Sequence, residues 1–154
     1  MENVEAFNNH LPVKVRFGEG KALTLPDVLL EAGASKVFLM VDEGIEKFNP
    51  AAKACIDKLL THSEFSVTTF EKPGGEPTID MVDDATKALV ASGAQAIIAL
   101  GGGSIIDTAK AARLCAQLGV TFREFQSRKA EYPVPTVALI AMPTSAGTGS
   151  EVSG

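Results

Sequence analysis

A run of three glycines gives this sequence its clearest chemical signal. Gly101, Gly102 and Gly103 lie between an apolar segment and a helical pattern, and Ser104 follows them. Glycines let a backbone approach a phosphate closely, and the N–H groups at a helix start favour an anion. The run departs from the dinucleotide fingerprint G-x-G-x-x-G, because Ile106 occupies its last glycine position. We nevertheless predict that this loop binds phosphate.

The same loop also has a structural interpretation. Ser104 and Asp107 have the Ser-x-x-Asp spacing of a capping box, in which both side chains would bind backbone N–H groups at the helix start. Three consecutive glycines exceed what a strand-to-helix turn usually needs, which favours phosphate binding. The structural role and the binding role can coexist.

Two further loops follow predicted strands and carry polar side chains. Residues 143–151 are dense in small and hydroxyl residues, and Thr144, Ser145 and Thr148 would suit the ribose and phosphates of a nucleotide. The other loop begins at Asp42, whose carboxylate could accept a hydrogen bond from a ribose 2′-OH and repel a 2′-phosphate. A flexible polar loop and a surface turn acid are the alternative interpretations of these two segments.

The segments around these loops predict strands that alternate with helices. Short apolar runs indicate core strands over 36–41, 66–70, 96–100 and 136–142. Apolar residues at helical spacing indicate helices over 22–32, 46–61 and 105–118, and another helix capped by Thr78. This order predicts an α/β fold, a parallel sheet with helices on both faces. Residues 13–17 alternate apolar and polar side chains and predict a half-exposed strand, a hairpin-type edge at the N-terminus.

Composition and charge restrict the classes of function. The net charge of −5 argues against a nucleic-acid interface, so any bound anion must be held locally. Cys55 and Cys115 are too few for a disulfide scaffold, and we expect both to be reduced core residues. With only His10 and His62, a complete metal site within the chain is not expected. No membrane span is expected, because the longest apolar run, 137–142, is far shorter than the roughly 20 residues that cross a bilayer. No signal peptide is expected either, because the N-terminus has no basic start and no long apolar stretch.

Together these motifs resemble those of the iron-containing (group III) alcohol dehydrogenase family. The glycine run is followed by Asp107 and Lys110, and then by Pro-Thr-Ser-Ala-Gly-Thr-Gly-Ser-Glu at 143–151. Shorter matches are the turn at 17–20, Asp42 after the first core strand, and Pro77-Thr78 before a helix. The resemblance covers nearly the whole chain, and the two long motifs in this order are highly specific.

The resemblance implies a Rossmann-like N-terminal domain that binds NAD and an all-helical C-terminal domain, with the active site between them. In this family a divalent metal, iron or zinc, polarises the alcohol oxygen, and hydride passes between the alcohol and NAD. The metal ligands, an Asp and three His, belong to later sequence than this chain contains. We therefore expect residues 1–154 to be a truncated dinucleotide-binding domain without the metal-binding helical domain, inactive by itself.

The family's motifs also imply roles for the candidate residues. Gly102, Gly103 and Ser104 would cradle the pyrophosphate, and Asp107 matches the motif's acid at the start of that helix. Asp42 matches the position whose acid favours NAD over NADP. The residues that would line the adenosine and phosphate side are Thr144, Ser145 and Thr148.

One loop departs from the family pattern, because Glu76 precedes Pro77-Thr78 where many members have Asn. The resemblance further implies a small alcohol or aldehyde substrate and a homo-oligomer. The net charge, the short apolar runs and the lack of a visible signal peptide predict a cytoplasmic protein with no nucleic-acid or membrane partner. Two alternatives are a stand-alone nucleotide- or phosphate-binding module without catalysis, and part of an enzyme similar to maleylacetate reductase.

Overall fold

Four parallel strands form a single sheet in the computed structural model, which describes residues 13–127 and 133–153. The strands are β1 (Lys36–Asp42), β2 (Ser66–Lys72), β3 (Ala96–Gly101) and β4 (Ala138–Pro143). Their order across the sheet is β2-β1-β3-β4. The predicted α/β fold with a parallel sheet is confirmed. Of the two histidines considered as metal ligands, His10 lies outside the described residues.

Six α-helices connect or flank these strands within the described ranges. They are α1 (Leu25–Glu31), α2 (Ile45–Phe48), α3 (Pro50–Leu60), α4 (Ile79–Ser92), α5 (Gly103–Leu118) and α6 (Phe122–Ser127). A 3-10 helix, Lys21–Thr24, precedes α1. None of the helices in the described part of the chain is long and apolar enough to cross a membrane.

Successive residues of the two central strands contribute to two separate apolar clusters. Val37 and Leu39 of β1 pack with α1 and α3, whereas Phe38 and Met40 pack with α4 and α5. Side chains alternate across a strand, so the two clusters lie on opposite faces of the sheet. Helices therefore cover both faces, which explains why β1 and β3 are apolar along most of their length.

Two sequence predictions are wrong in detail. The helix predicted over 46–61 is divided, because the Asn49 side chain accepts a hydrogen bond from Ala52 N–H at 3.0 Å and caps a new helix at Pro50. Residues 13–17 form no strand, and Val15 and Phe17 are exposed. No described residue pairs with their backbone, and a strand without a partner is not stable in water. The predicted N-terminal edge is therefore absent among the described residues.

Candidate functional site

An open pocket of about 440 Å³ lies where loops leave the carboxyl ends of three strands. The glycine run, at the start of α5, forms one part of the pocket wall. The loops that follow β2 and β4 form the rest. The lining residues are Glu76, Pro77, Gly102, Gly103, Ser104, Asp107, Thr148 and Ser150. Five of the nine candidate residues predicted from sequence therefore line one pocket, at the edge where ligands bind in open α/β sheets.

Gly101 and Gly103 are required by the packing of the chain on itself. A Cβ on Gly101, whose φ is +154°, would lie 2.4 Å from Asp42 Oδ2 and 2.8 Å from Ile105 Cγ2. A Cβ on Gly103 would lie 2.9 Å from the Cβ and Cγ2 of Thr148. Real Cβ atoms are almost never found at such separations, so both glycines allow neighbouring loops to approach closely.

Gly102 differs from its two neighbours, because nothing in the described chain requires a glycine there. Its φ of −76° suits any residue. An added Cβ would make only ordinary contacts, 3.6 Å from Ser145 Oγ and 3.9 Å from Asp42 Oδ2. Gly102 nevertheless lines the pocket. The protein therefore leaves room for a side chain at residue 102, although the residue is a glycine on the pocket wall.

Asp42 is not a surface turn acid, because its carboxylate reaches the glycine run. Its Oδ2 accepts a hydrogen bond from Gly102 N–H at 3.0 Å, and its Oδ1 lies 3.7 Å from Lys72 Nζ. The parallel pairing of β1 with β2 and β3 brings these three residues to one edge of the sheet. One N–H group at the start of α5 is therefore already occupied by a carboxylate.

The alternative interpretation of Ser104 and Asp107 as a capping box is wrong. The N-cap of α5 is Gly102, which has no side-chain cap, so Ser104 lies inside the first turn. The Asp107 carboxylate instead accepts a hydrogen bond from Ser150 Oγ at 3.2 Å, joining α5 to the loop after β4. Without a capping side chain, the N–H groups of Gly103 and Ser104 have no intrahelical acceptor and are oriented for an anion.

The loop after β4 contributes its residues unequally. Thr144 N–H donates to the Gly101 carbonyl at 2.8 Å, which fixes the loop to the end of β3. Thr148 Oγ1 accepts a hydrogen bond from Ser150 N–H at 3.3 Å. Thr144, Ser145 and Thr148 are exposed, whereas Ser150 is buried. Of the three residues predicted here, Thr148 lines the pocket, Ser145 lies near Gly102, and Thr144 contacts the glycine run through its backbone.

Sequence analysis did not identify two polar residues at this edge, Lys72 and Ser150. Ser150 belongs to the quoted motif, but only the structure shows its hydrogen bond to Asp107. Lys72 ends β2, two residues beyond the predicted end of that strand, and it pairs in register with Asp42. No local sequence pattern indicated this neighbour, because the register that places the lysine beside the predicted acid follows from the strand order.

The pocket wall carries two carboxylates, Glu76 and Asp107, and none of the eight lining residues is a Lys or Arg. An anionic ligand would therefore be held by backbone N–H groups and hydroxyls. In the described part of the chain, no cluster of three or more His, Cys, Asp or Glu side chains could hold a metal ion. The donor set does not fit a catalytic metal, so we derive no step through a metal held by these residues.

Comparisons with known proteins give a consistent assignment. The sequence profile of the iron-containing alcohol dehydrogenase family matches residues 12–154. The chain is 36% identical over 140 residues to the long-chain primary alcohol dehydrogenase AdhA of Thermoanaerobacter ethanolicus, covering 88% of the chain and 35% of that protein. It is 32% identical over 145 residues to the mitochondrial hydroxyacid-oxoacid transhydrogenase of Xenopus tropicalis, covering 91% of the chain and 31% of that protein.

A solved structure shares the fold. The sulfoacetaldehyde reductase of Bifidobacterium kashiwanohense, crystallised in complex with NAD+, superposes with a TM-score of 0.84 at 26% identity. The match covers 97% of this chain and 39% of that one. The chain thus spans between about a third and two-fifths of the length of these relatives. The family profile covers nearly all of the sequence, and the chain belongs to the iron-containing alcohol dehydrogenase family.

Proposed function

We propose that this chain is the NAD-binding part of a metal-dependent alcohol dehydrogenase that transfers hydride between an alcohol or aldehyde and NAD(H). Family membership supports the reaction class, and the related reductase was crystallised with NAD+. The chain alone would not turn over an alcohol, since the iron or zinc would be held by residues outside this sequence. The whole protein would be a cytoplasmic homo-oligomer that acts on a small alcohol.

Gly102 is the observation that carries the binding part of the proposal. The protein itself leaves room for a side chain at this position, yet the residue is a glycine at the pocket wall and at the start of a 16-residue helix. A pyrophosphate against the backbone here would accept hydrogen bonds from Gly103 and Ser104 N–H and gain from the helix dipole. A methyl group on residue 102 would lie 3.6 Å from Ser145 Oγ and 3.9 Å from Asp42 Oδ2, on the side where the proposed nucleotide would contact these two residues.

The other candidate residues fit around a pyrophosphate in this position. Asp42 would accept a hydrogen bond from the 2′-OH of the adenosine ribose and repel the 2′-phosphate of NADP. Thr144, Ser145 and Thr148 would line the adenosine and phosphate side, and Gly101 would hold the turn that brings Asp42 against the loop.

The test is a titration of the 154-residue chain with NADH and with NADPH, followed by the fluorescence of the reduced nicotinamide. The chain has no Trp, so protein background is low. We expect saturable NADH binding and at least about tenfold weaker NADPH binding, which corresponds to about 1.4 kcal/mol.

Gly102→Ala should weaken NADH binding about tenfold or more, with little change in folding stability. Gly74→Ala is the matched control: Gly74 lies outside the pocket lining, and a Cβ there would meet no heavy atom within 4 Å. Equal NADH affinity in both variants, or no NADH binding by the folded wild-type chain, would refute the assignment.

A further inference from the structure

Lys72 is a fully buried lysine at the end of β2, and none of the preceding roles explains it. Its exposure is 0%, although the ammonium group is strongly hydrated in water. Burial of a charge is costly unless the charge is paired and hydrogen-bonded. The contacts of this ammonium therefore indicate which parts of the molecule it fixes.

The ammonium connects the loop after β2 to the end of β1. It donates hydrogen bonds to the carbonyls of Pro73 and Gly75, at 2.7 and 2.9 Å. It also lies 3.7 Å from Asp42 Oδ1. The first pair of bonds folds the loop that leads directly to Glu76 in the pocket wall. The ion pair fixes the carboxylate whose other oxygen binds Gly102 N–H.

We propose that Lys72 is a positioning residue of the nucleotide site, which holds Asp42 against the glycine run and folds the loop after β2 into the pocket wall. This inference rests on the proposed function. Because Asp42 is the residue that would select against a 2′-phosphate, Lys72 sets the degree of discrimination between NADH and NADPH without touching either nucleotide.

The test substitutes Lys72→Met, which removes the charge and keeps a chain of similar length. A positioning role predicts about tenfold weaker NADH binding and a ratio of the NADPH to NADH dissociation constants that falls at least about threefold. Purely structural damage would weaken both nucleotides by the same factor and leave the ratio unchanged. Lys58→Met is the control, since Lys58 Nζ also donates to a carbonyl, that of Leu23 at 2.7 Å, away from the pocket.

A double-mutant cycle with Asp42→Asn separates action through Asp42 from an independent effect. If Lys72 acts through Asp42, Lys72→Met changes the nucleotide ratio in the wild-type background and leaves it unchanged in the Asp42→Asn background. Equal changes in both backgrounds, or no change in either, would overturn the proposal.

Should Lys72→Met not fold, Asp42→Asn alone still decides the matter by hydrogen exchange. Loss of the ion pair should speed amide exchange in the loop 74–76, and unchanged exchange there would overturn the proposal. Failure of the wild-type chain to bind NADH would refute the proposed function and this inference with it. Normal wild-type binding with an unchanged ratio in Lys72→Met would refute the inference alone.

Discussion

The two ends of helix α5 are built on different physical constraints. At its N-terminus, glycines allow loops after β1 and β4 to approach within contact distance, and the surroundings are polar. Its C-terminal half has Cys115 buried against an apolar groove of about 450 Å³ that α4 also lines. We therefore expect stability to respond to single methyl groups at the first end and to the ionisation of Cys115 at the second.

The largest expected effect tests steric crowding at the N-terminal end. Gly101→Ala places a Cβ within 2.4 Å of Asp42 Oδ2 and 2.8 Å of Ile105 Cγ2, where neither neighbour can move without losing contacts. We expect the free energy of unfolding to fall by about 3 kcal/mol. Urea denaturation measures this loss.

Gly102→Ala is the internal control for that experiment. It adds the same methyl group one residue along, at an ordinary φ and with no contact shorter than 3.6 Å. Its cost should stay below about 1 kcal/mol, the loss associated with Ala at an N-cap. Equal losses in the free energy of unfolding would contradict the conclusion that packing requires a glycine at residue 101 but not at residue 102.

The next prediction tests how firmly the loop after β4 is held against α5. Gly103→Ala should cost about 2 kcal/mol, because its Cβ would lie 2.9 Å from Thr148. In a Thr148→Gly background the conflicting atoms are gone, and the cost should fall by at least half. If Gly103→Ala costs as much stability in the Thr148→Gly background, Thr148 moves aside freely in the wild-type background. The loss of stability would then come from the contact with Ser150 Oγ at 3.0 Å or from the substitution at the helix start.

At the C-terminal end of α5, the prediction concerns the ionisation of the Cys115 thiol and not steric crowding. Burial, followed by the charge of Asp83, raises the pKa of Cys115 to about 11 from an ordinary value of 9.0. Between pH 9 and pH 11 the unfolded thiol loses its proton while the folded thiol keeps it. The free energy of unfolding should therefore fall with rising pH across this window, by about 2 kcal/mol at pH 11.

Cys115→Ala isolates that thiol from the other groups that titrate at high pH. The stability difference between wild type and Cys115→Ala should narrow by about 2 kcal/mol from pH 8 to pH 11 in urea denaturation series. A difference that stays constant with pH would show that the buried thiol is not held neutral.

The sequence predicted the fold well because hydrophobic periodicity decides it. The apolar runs around Val37 and Ile97 fit strands covered on both faces, and the structure confirms this. Side-chain partners were harder to predict, since Ser104 and Asp107 suited a cap by spacing alone. Asp107 found a partner 43 residues away, in Ser150, and such a contact depends on loop geometry that no local pattern encodes.

The strand predicted over 13–17 failed for a related reason. Alternation at Val13, Val15 and Phe17 is the local signature of a strand, but hydrogen bonding requires a neighbour, and none of the described residues provides one. Lys72 was missed because a lysine near the end of a strand usually indicates a solvent-exposed position. In the folded chain it lies buried beside Asp42 of the neighbouring strand, and this position follows only from the strand order.

The smallest expected effect concerns the charge that opposes a phosphate at the polar end of α5. Glu76 is exposed on a pocket wall whose lining residues include no Lys or Arg, so its carboxylate would repel the proposed pyrophosphate through solvent. Glu76→Gln should strengthen NADH binding about threefold at low salt, and the gain should shrink as salt screens the repulsion. Glu64 is another exposed acid and lies outside the pocket lining, so Glu64→Gln should leave NADH binding unchanged. Weaker binding by Glu76→Gln would mean that this carboxylate accepts a hydrogen bond from the nucleotide, and the polar end of α5 would then recognise its ligand through an acid as well as through backbone N–H groups.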